Sequence, residues 1–167
     1  MHVVYSGAKN LPDLPAFGME WKIKEKYHNF QYYGYGPKEN YIDRRIGAGL
    51  GIYQSTAQEN FSAYLVPQEC GNRTGVRWLE VTDNDGVGLR FEAVGAPIEA
   101  SVLPHSTLEL EAASHRNELP DPKYTWIRLL AKQMGIGGDD SWGAPVHRQF
   151  RIASDQEIEL TFRVLPV

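Results

Sequence analysis

The sequence predicts an all-β, mainly antiparallel domain with one short helix, and three observations carry that expectation. Short runs of β-branched and aromatic residues recur along the chain, and 16 glycines and 10 prolines punctuate them. One run near the C-terminus alternates between apolar and polar residues, the period of a half-buried strand. The third observation is size: 167 residues, 42% of them hydrophobic, suffice for one domain with a core and are short for two. The expected unit is therefore a single domain over residues 1–167.

In chain order, strands are expected over Phe30–Tyr33, Gly51–Tyr53, Tyr64–Val66, Val76–Thr82, Gly88–Ala93, Ile98–Leu103, Trp126–Leu130 and Ile158–Val164. Asn84, Asp85 and Gly86 form a hairpin turn between two of these, because Asp-Gly tolerates the positive φ a tight turn requires. In the last run, Ile158, Leu160, Phe162 and Val164 share one face, with Glu157, Glu159, Thr161 and Arg163 on the other. The helix is expected over Leu108–Ala113. Ser106 precedes Glu109 by three residues, so its hydroxyl can cap a backbone N–H while the carboxylate reaches back to the cap. Pro120 and Pro122 stop any continuation.

Composition excludes several functions. A net charge of −4 with 23% charged residues provides no basic field for a phosphate backbone, so nucleic acid is not an expected partner. Apolar stretches such as Phe61–Pro67 fall far short of the roughly 20 residues that span a bilayer, so no membrane span is expected. The start shows no signal peptide, which favours the cytoplasm; the periplasm stays open if a leader has been removed. The single cysteine, Cys70, cannot form an internal disulfide and leaves the redox compartment open. His2, His28, His105, His115 and His147 are widely spaced and none forms an i, i+4 pair beside a glutamate, so no zinc site is expected. There is no Gly-x-Ser-x-Gly elbow and no phosphate-binding glycine loop. Asn60-Phe61-Ser62 and Asn72-Arg73-Thr74 fit a short glycosylation pattern that means little without a secretory signal.

Three segments look too specific for scaffold. Met134–Trp142 packs three glycines, two aspartates and a serine before a tryptophan, so its backbone must turn sharply and present a large flat ring from a loop. An indole can cover the C–H face of a sugar ring at little entropic cost; the alternative is a ring that plugs its own core. Asp139 and Asp140 could suggest a glycosidase pair, but adjacent acids in a glycine-rich turn more often accept backbone N–H bonds. Gly34–Arg44 places Glu39, Asn40, Asp43 and Arg44 close together, which favours a local hydrogen-bonded network over a ligand site. Pro67–Thr74 has the same character.

Taken together, Tyr33–Arg44, Pro67–Arg73, Ser114-His115-Arg116 and Met134–Trp142 resemble, in order and spacing, the C-terminal domain (domain 5) of bacterial β-galactosidases of glycoside hydrolase family 2. They also resemble the separate small chain found where that enzyme is split. The resemblance implies a β-supersandwich related to galactose mutarotase, of which residues 1–167 are the C-terminal part with earlier strands missing. It implies an enzyme that hydrolyses terminal β-D-galactosides such as lactose, whose two catalytic glutamates lie on a (β/α)8 barrel with no counterpart here. The chain alone is then inactive and carries no catalytic residue. By the same resemblance Trp142 contacts the galactoside, and Asp139, Asp140 and Ser141 shape its loop. The implied partner is the barrel, in the same enzyme or as a large subunit. The whole enzyme commonly uses Mg2+ and Na+, but no cofactor is implied for this chain.

Departures from the family pattern are local. Cys70 stands where Asn is usual, Ala16 where an Arg is common, and the loop after Trp142 varies, so His147 inherits no role. Missing strands would leave an apolar face or strand edge open, from which self-association is expected. Two other readings stay open: a free-standing carbohydrate-binding module using Trp142 and nearby tyrosines, and a mutarotase-like epimerase using His105 or His115 with Glu118.

Overall fold

The computed structural model describes residues 1–140 and 142–167. These form ten strands: β1 His2–Tyr5, β2 Ala16–Lys24, β3 Asn29–Gly36, β4 Gly49–Thr56, β5 Arg73–Val76, β6 Trp78–Thr82, β7 Gly88–Ala93, β8 Ile98–Leu103, β9 Tyr124–Gln133 and β10 Ile158–Pro166. One helix, α1, spans Thr107–Ala112, with 3-10 turns at Arg116–Glu118 and Arg148–Phe150. A six-stranded sheet in the order β1-β10-β7-β6-β3-β4 faces a four-stranded sheet in the order β2-β9-β8-β5. Every strand pair is antiparallel. The architecture is the all-β sandwich with one short helix that the sequence predicts.

Side-chain alternation explains the layers. Ile158, Leu160 and Phe162 of β10 are buried between exposed Glu159 and Arg163, and Phe30 and Tyr32 of β3 are buried among half-buried neighbours. These meet Ala100 and Val102 of β8 and Ile127 and Leu129 of β9 from the opposite sheet in one core. Trp21 of β2 packs edge-on against Phe91 at 5.5 Å and Phe162 at 6.5 Å, bringing an aromatic trio together inside the sandwich.

Ser106 and Glu109 form the expected capping box: the Glu109 N–H donates to Ser106 Oγ at 3.1 Å and the Ser106 N–H to Glu109 Oε2 at 2.7 Å. The helix runs one residue earlier than expected, from Thr107, because the cap itself fixes where the first turn begins. The Asn84–Gly86 turn is present, with Gly86 at φ +80, and Asp83 Oδ1 accepts the N–H groups of Asp85 and Val87 at 3.1 Å each.

Other expectations need correction. Tyr64–Val66 is not a strand. Its backbone has no partner strand, Leu65 is 92% exposed, and Phe61 and Tyr64 instead pack with Cys70, Leu103, Leu110 and Leu119 in a satellite cluster. The run Val76–Thr82 is divided: Val76 ends β5 in the smaller sheet and Trp78 begins β6 in the larger. Arg77 carries the chain across, its N–H donating to Tyr33 O at 2.8 Å while its carbonyl accepts from the Ala93 N–H at 2.9 Å. Two strands were not anticipated. β1 is only four residues long, and β2 interleaves Phe17, Met19, Trp21 and Ile23 with Glu20, Lys22 and Lys24, so no apolar run marks it.

Candidate functional site

The site is built from the loops that leave β3 and β9. A groove of about 480 Å³ lies between residues 43–44 and residues 136–150, with Asp43, Arg44, Asp139, His147 and Phe150 on its walls. It adjoins a second groove of about 420 Å³, with which it shares Asp43 and Arg44.

The glycine-rich loop is tied down at several points. Where β9 ends, the Gln133 N–H donates to Glu99 Oε1 at 3.2 Å, and the Met134 N–H to Pro15 O at 2.9 Å. The Gly135 N–H donates to Phe150 O at 2.9 Å, joining the two arms of the loop. The Gly137 N–H donates to Asp43 Oδ2 at 2.8 Å, a clasp across 94 residues of sequence. Asp140 Oδ1 accepts the N–H groups of Trp142 at 2.8 Å and Ala144 at 3.2 Å, and Asp139 Oδ1 pairs with His147 Nε2 at 2.6 Å. Gly138 is required by close approach: a Cβ there would lie 2.1 Å from Ala144 O.

These restraints leave the Trp142 side chain outside the core, 92% exposed. It is not a core plug in this structure. Asp139 and Asp140 each have an oxygen engaged by the loop itself, and Ser141 lies outside the described residues.

Beneath the site, Glu39 gathers the loop from β3 to β4. It accepts from Arg44 Nη2 at 2.6 Å, Ser62 Oγ at 2.8 Å, the Gly71 N–H at 2.7 Å and the Tyr64 hydroxyl. Burial opposes its charged form, but the Gly71 amide, the Tyr64 and Ser62 hydroxyls and the Arg44 charge outweigh that and hold the carboxyl below its usual range. The pairing of an arginine with an acid expected within Gly34–Arg44 is thus made by Arg44 and Glu39. Asp43 reaches across to the other loop instead.

Asn40 joins the same segment to the third one. Its Nδ2 donates to Tyr35 O at 2.9 Å and Lys38 O at 3.0 Å, its Oδ1 accepts the Thr74 N–H at 2.9 Å, and its own N–H donates to Asn72 O at 2.9 Å. Asn72 Nδ2 in turn donates to Glu99 Oε2 at 2.6 Å. Burial raises the Glu99 carboxyl above its ordinary value, opposed by these bonds from Asn72 and Gln133. Buried Arg73 is satisfied without a carboxylate, by Tyr32 Oη at 2.8 Å, Asn60 Oδ1 at 2.8 Å and the carbonyls of Gly71 and Asn72 at 3.1 Å. Both asparagines of the glycosylation-like triplets, Asn60 and Asn72, are buried.

Ser114-His115-Arg116 takes no part in this network. Glu118 accepts the N–H groups of Ser114 at 2.8 Å and His115 at 3.3 Å, and pairs with His115 Nδ1 at 3.1 Å. His105 is buried edge-on against Phe61 at 5.5 Å, and burial lowers its pKa. Among the described residues no group of three or more His, Cys, Asp and Glu side chains is placed to hold a metal ion. No helix among the described residues is long and apolar enough to cross a membrane.

Three of the four segments singled out in the sequence are therefore joined, and residues 1–164 match the family described as the β-galactosidase small chain. The chain belongs to the β-galactosidase small-chain family. This small-chain domain is similar to β-galactosidase BgaC of Bifidobacterium adolescentis, with 47% identity over 168 residues covering 98% of the chain and 16% of that protein. It is 44% identical to the β-galactosidase of Streptococcus thermophilus over 163 residues, 98% of the chain and 16% of that protein. It is 36% identical to the β-galactosidase small subunit of Latilactobacillus sakei over 172 residues, 97% of the chain and 54% of that subunit. The small-chain domain thus spans about a sixth of the longer relatives and about half of the small subunit.

Proposed function

We propose that this chain acts as part of a β-galactosidase, packing against a catalytic (β/α)8 barrel carried in the same protein or on a large subunit, and completing the pocket for a terminal β-D-galactoside such as lactose. On this reading residues 1–167 are the C-terminal part of the family's domain 5 supersandwich, in glycoside hydrolase family 2. Trp142 stacks on the sugar, and Asp139, Asp140 and Ser141 hold the shape of its loop. The observation that supports the reading is an exposed indole on a loop restrained by Asp43 and Asp140, other residues of which, Ile136, Asp139, His147 and Phe150 among them, line a groove with Asp43 and Arg44. An indole laid on a sugar's C–H face contributes roughly 1 to 3 kcal/mol.

Hydrolysis needs two carboxyl groups about 5 to 9.5 Å apart across the glycosidic bond. Asp139 is occupied by His147 and Asp140 by two backbone N–H groups, so this proposal leaves the chemistry to the barrel. The test begins with the purified chain, which should not hydrolyse a chromogenic β-galactoside. With the barrel-bearing remainder of the enzyme supplied, Trp142→Ala should raise KM by roughly 5- to 150-fold. The isolated variant should keep its stability to within about 0.5 kcal/mol, as expected for an exposed side chain. Turnover by the chain alone, or an unchanged kcat/KM in the assembled Trp142→Ala enzyme, would overturn the proposal.

A further inference from the structure

Residues 104–123, between β8 and β9, form a flap over the satellite cluster that holds Cys70. The flap's hydrogen bonds are mostly internal: the capping box of Ser106 and Glu109, the backbone bonds of α1 and the turn after it, and the bonds of Glu118 to Ser114 and His115. Among the described residues one hydrogen bond ties it to the rest of the chain, from the exposed Thr107 hydroxyl to Glu20 Oε2 at 3.2 Å, and its one ion pair, His115 with Glu118, is internal. The Arg116 guanidinium adds a distant contact, 5.9 Å from the Phe61 ring. What holds the flap down is the burial of His105, Leu110, Ala113 and, in part, Leu119. A segment closed by so few bonds can open while the sandwich stays folded.

His105 is the vulnerable point of that seal. It is 7% exposed, stands edge-on to Phe61 at 5.5 Å, and directly precedes the Ser106 cap, a position that apolar residues often fill. Its Nδ1 is buried with no hydrogen-bond partner. A neutral ring tolerates this, whereas a protonated one must bury a charge together with an N–H that nothing accepts. The charged groups facing it are Glu109 from α1 and, across a groove of about 430 Å³, Arg116 and Asp121 from the turns beyond; residues 57–61 contribute only the uncharged Gln58 and Phe61. Glu109 is already engaged by the Ser106 N–H and hydroxyl.

We propose that His105 is an acid-released latch: the flap lies closed over Cys70 while the imidazole is neutral and opens when the ring takes up a proton. Burial outweighs the attraction of Glu109 and lowers the His105 pKa. The latch is therefore complete above the unhindered value of about 6.5 and is lost as pH falls through the lower folded-state value. The inference uses none of the residues near Trp142 and does not rest on the galactoside reading.

Cys70 is the chain's single cysteine, so its labelling reads the flap directly. Dithiodipyridine, a disulfide reagent that reacts in mild acid, is applied to the native and the urea-unfolded chain at each pH, and the ratio of the two rates cancels the titration of the thiol itself. Between about pH 7.5 and about pH 5.5 that ratio should rise about three- to tenfold, tenfold being the limit for a ring that titrates freely only in the open state. His105→Phe keeps an apolar ring that cannot be protonated and should abolish the rise. His115→Gln, in the same flap but exposed, should leave it intact. Should His105→Phe fail to fold, amide exchange of the unaltered chain decides: after correction for intrinsic rates, the Leu110 amide, bonded to Ser106 O, should lose protection over the same range while β10 amides keep theirs. A labelling ratio that changes by less than about twofold, a rise that persists in His105→Phe or vanishes in His115→Gln, or equal loss of protection in α1 and β10 would each overturn the proposal.

Discussion

Replacing Glu39 by Gln should destabilise the domain by about 2 to 4 kcal/mol at neutral pH, and the deficit should shrink in acid. The carboxylate is 14% exposed and accepts four bonds, two at each oxygen: Arg44 and Tyr64 at Oε1, Ser62 and the Gly71 N–H at Oε2. A carboxamide keeps one oxygen, and its NH2 then faces one hydroxyl, Tyr64 or Ser62, that can turn and accept, and one group that can only donate, Arg44 or the Gly71 N–H; one bond is therefore lost in either orientation, and the other three lose their charge assistance. Hydrogen bonds to a charged group are worth about 1.5 to 3 kcal/mol each. The half-exposed Arg44 guanidinium lowers the total, since solvent screens it.

The pH dependence follows from the depressed carboxyl. Its contribution is complete above the unfolded-state value of about 4.3 and is lost as pH falls through the lower folded-state value. Urea unfolding of both proteins from neutral to acid pH measures this directly. A Gln variant within about 0.5 kcal/mol of the parent, or a deficit that does not shrink on acidification, would refute the view that Glu39 anchors this loop as a carboxylate.

Gly138→Ala should cost about 1 to 3 kcal/mol through the clash of its Cβ with Ala144 O, 2.1 Å away. Faster amide exchange at Ala144 is the readout, and unchanged exchange would mean that the loop does not fold back on itself there. Cys70 is fully buried and burial pushes its thiol up to about 12, so it should resist a thiol reagent at mildly alkaline pH and react once the chain is unfolded in urea. Rapid labelling of the native protein would contradict its place beneath α1.

The sheets were legible where one face is core and the other is solvent. β10 announces itself because Ile158, Leu160 and Phe162 turn inward between polar neighbours. β2 has the same two-residue period, Phe17, Met19, Trp21 and Ile23 alternating with Gly18, Glu20, Lys22 and Lys24, and was legible by the same rule although it was not anticipated; the Lys22 ammonium on its outer face lies 3.8 Å from the Tyr124 ring and 5.1 Å from the Trp126 ring. The division at Arg77 could not be read at all, since a strand crossing between sheets keeps its apolar composition while changing partners. The site was half legible. Composition marked the glycine-rich loop and its tryptophan, but a clasp between Asp43 and Gly137 depends on two chain segments meeting in space and leaves no local pattern. The Asp139–His147 pair was missed for a related reason: eight residues separate them, and only the loop's fold brings them together.

The two N–H groups held by Asp140 and the one held by Asp43 bear on how tightly anything could be gripped at Trp142. A free glycine-rich loop would have to lose its backbone disorder at the moment of contact, at about 1 to 2 kcal/mol for each residue fixed. Here the N–H groups of Gly137, Trp142 and Ala144 are bonded when the domain folds, so on the proposed reading the backbone at these residues has already lost part of that disorder before contact. Preorganisation of this kind strengthens binding without adding a single contact. On the proposed reading, Asp43 and Asp140 would influence the affinity for a galactoside without touching it.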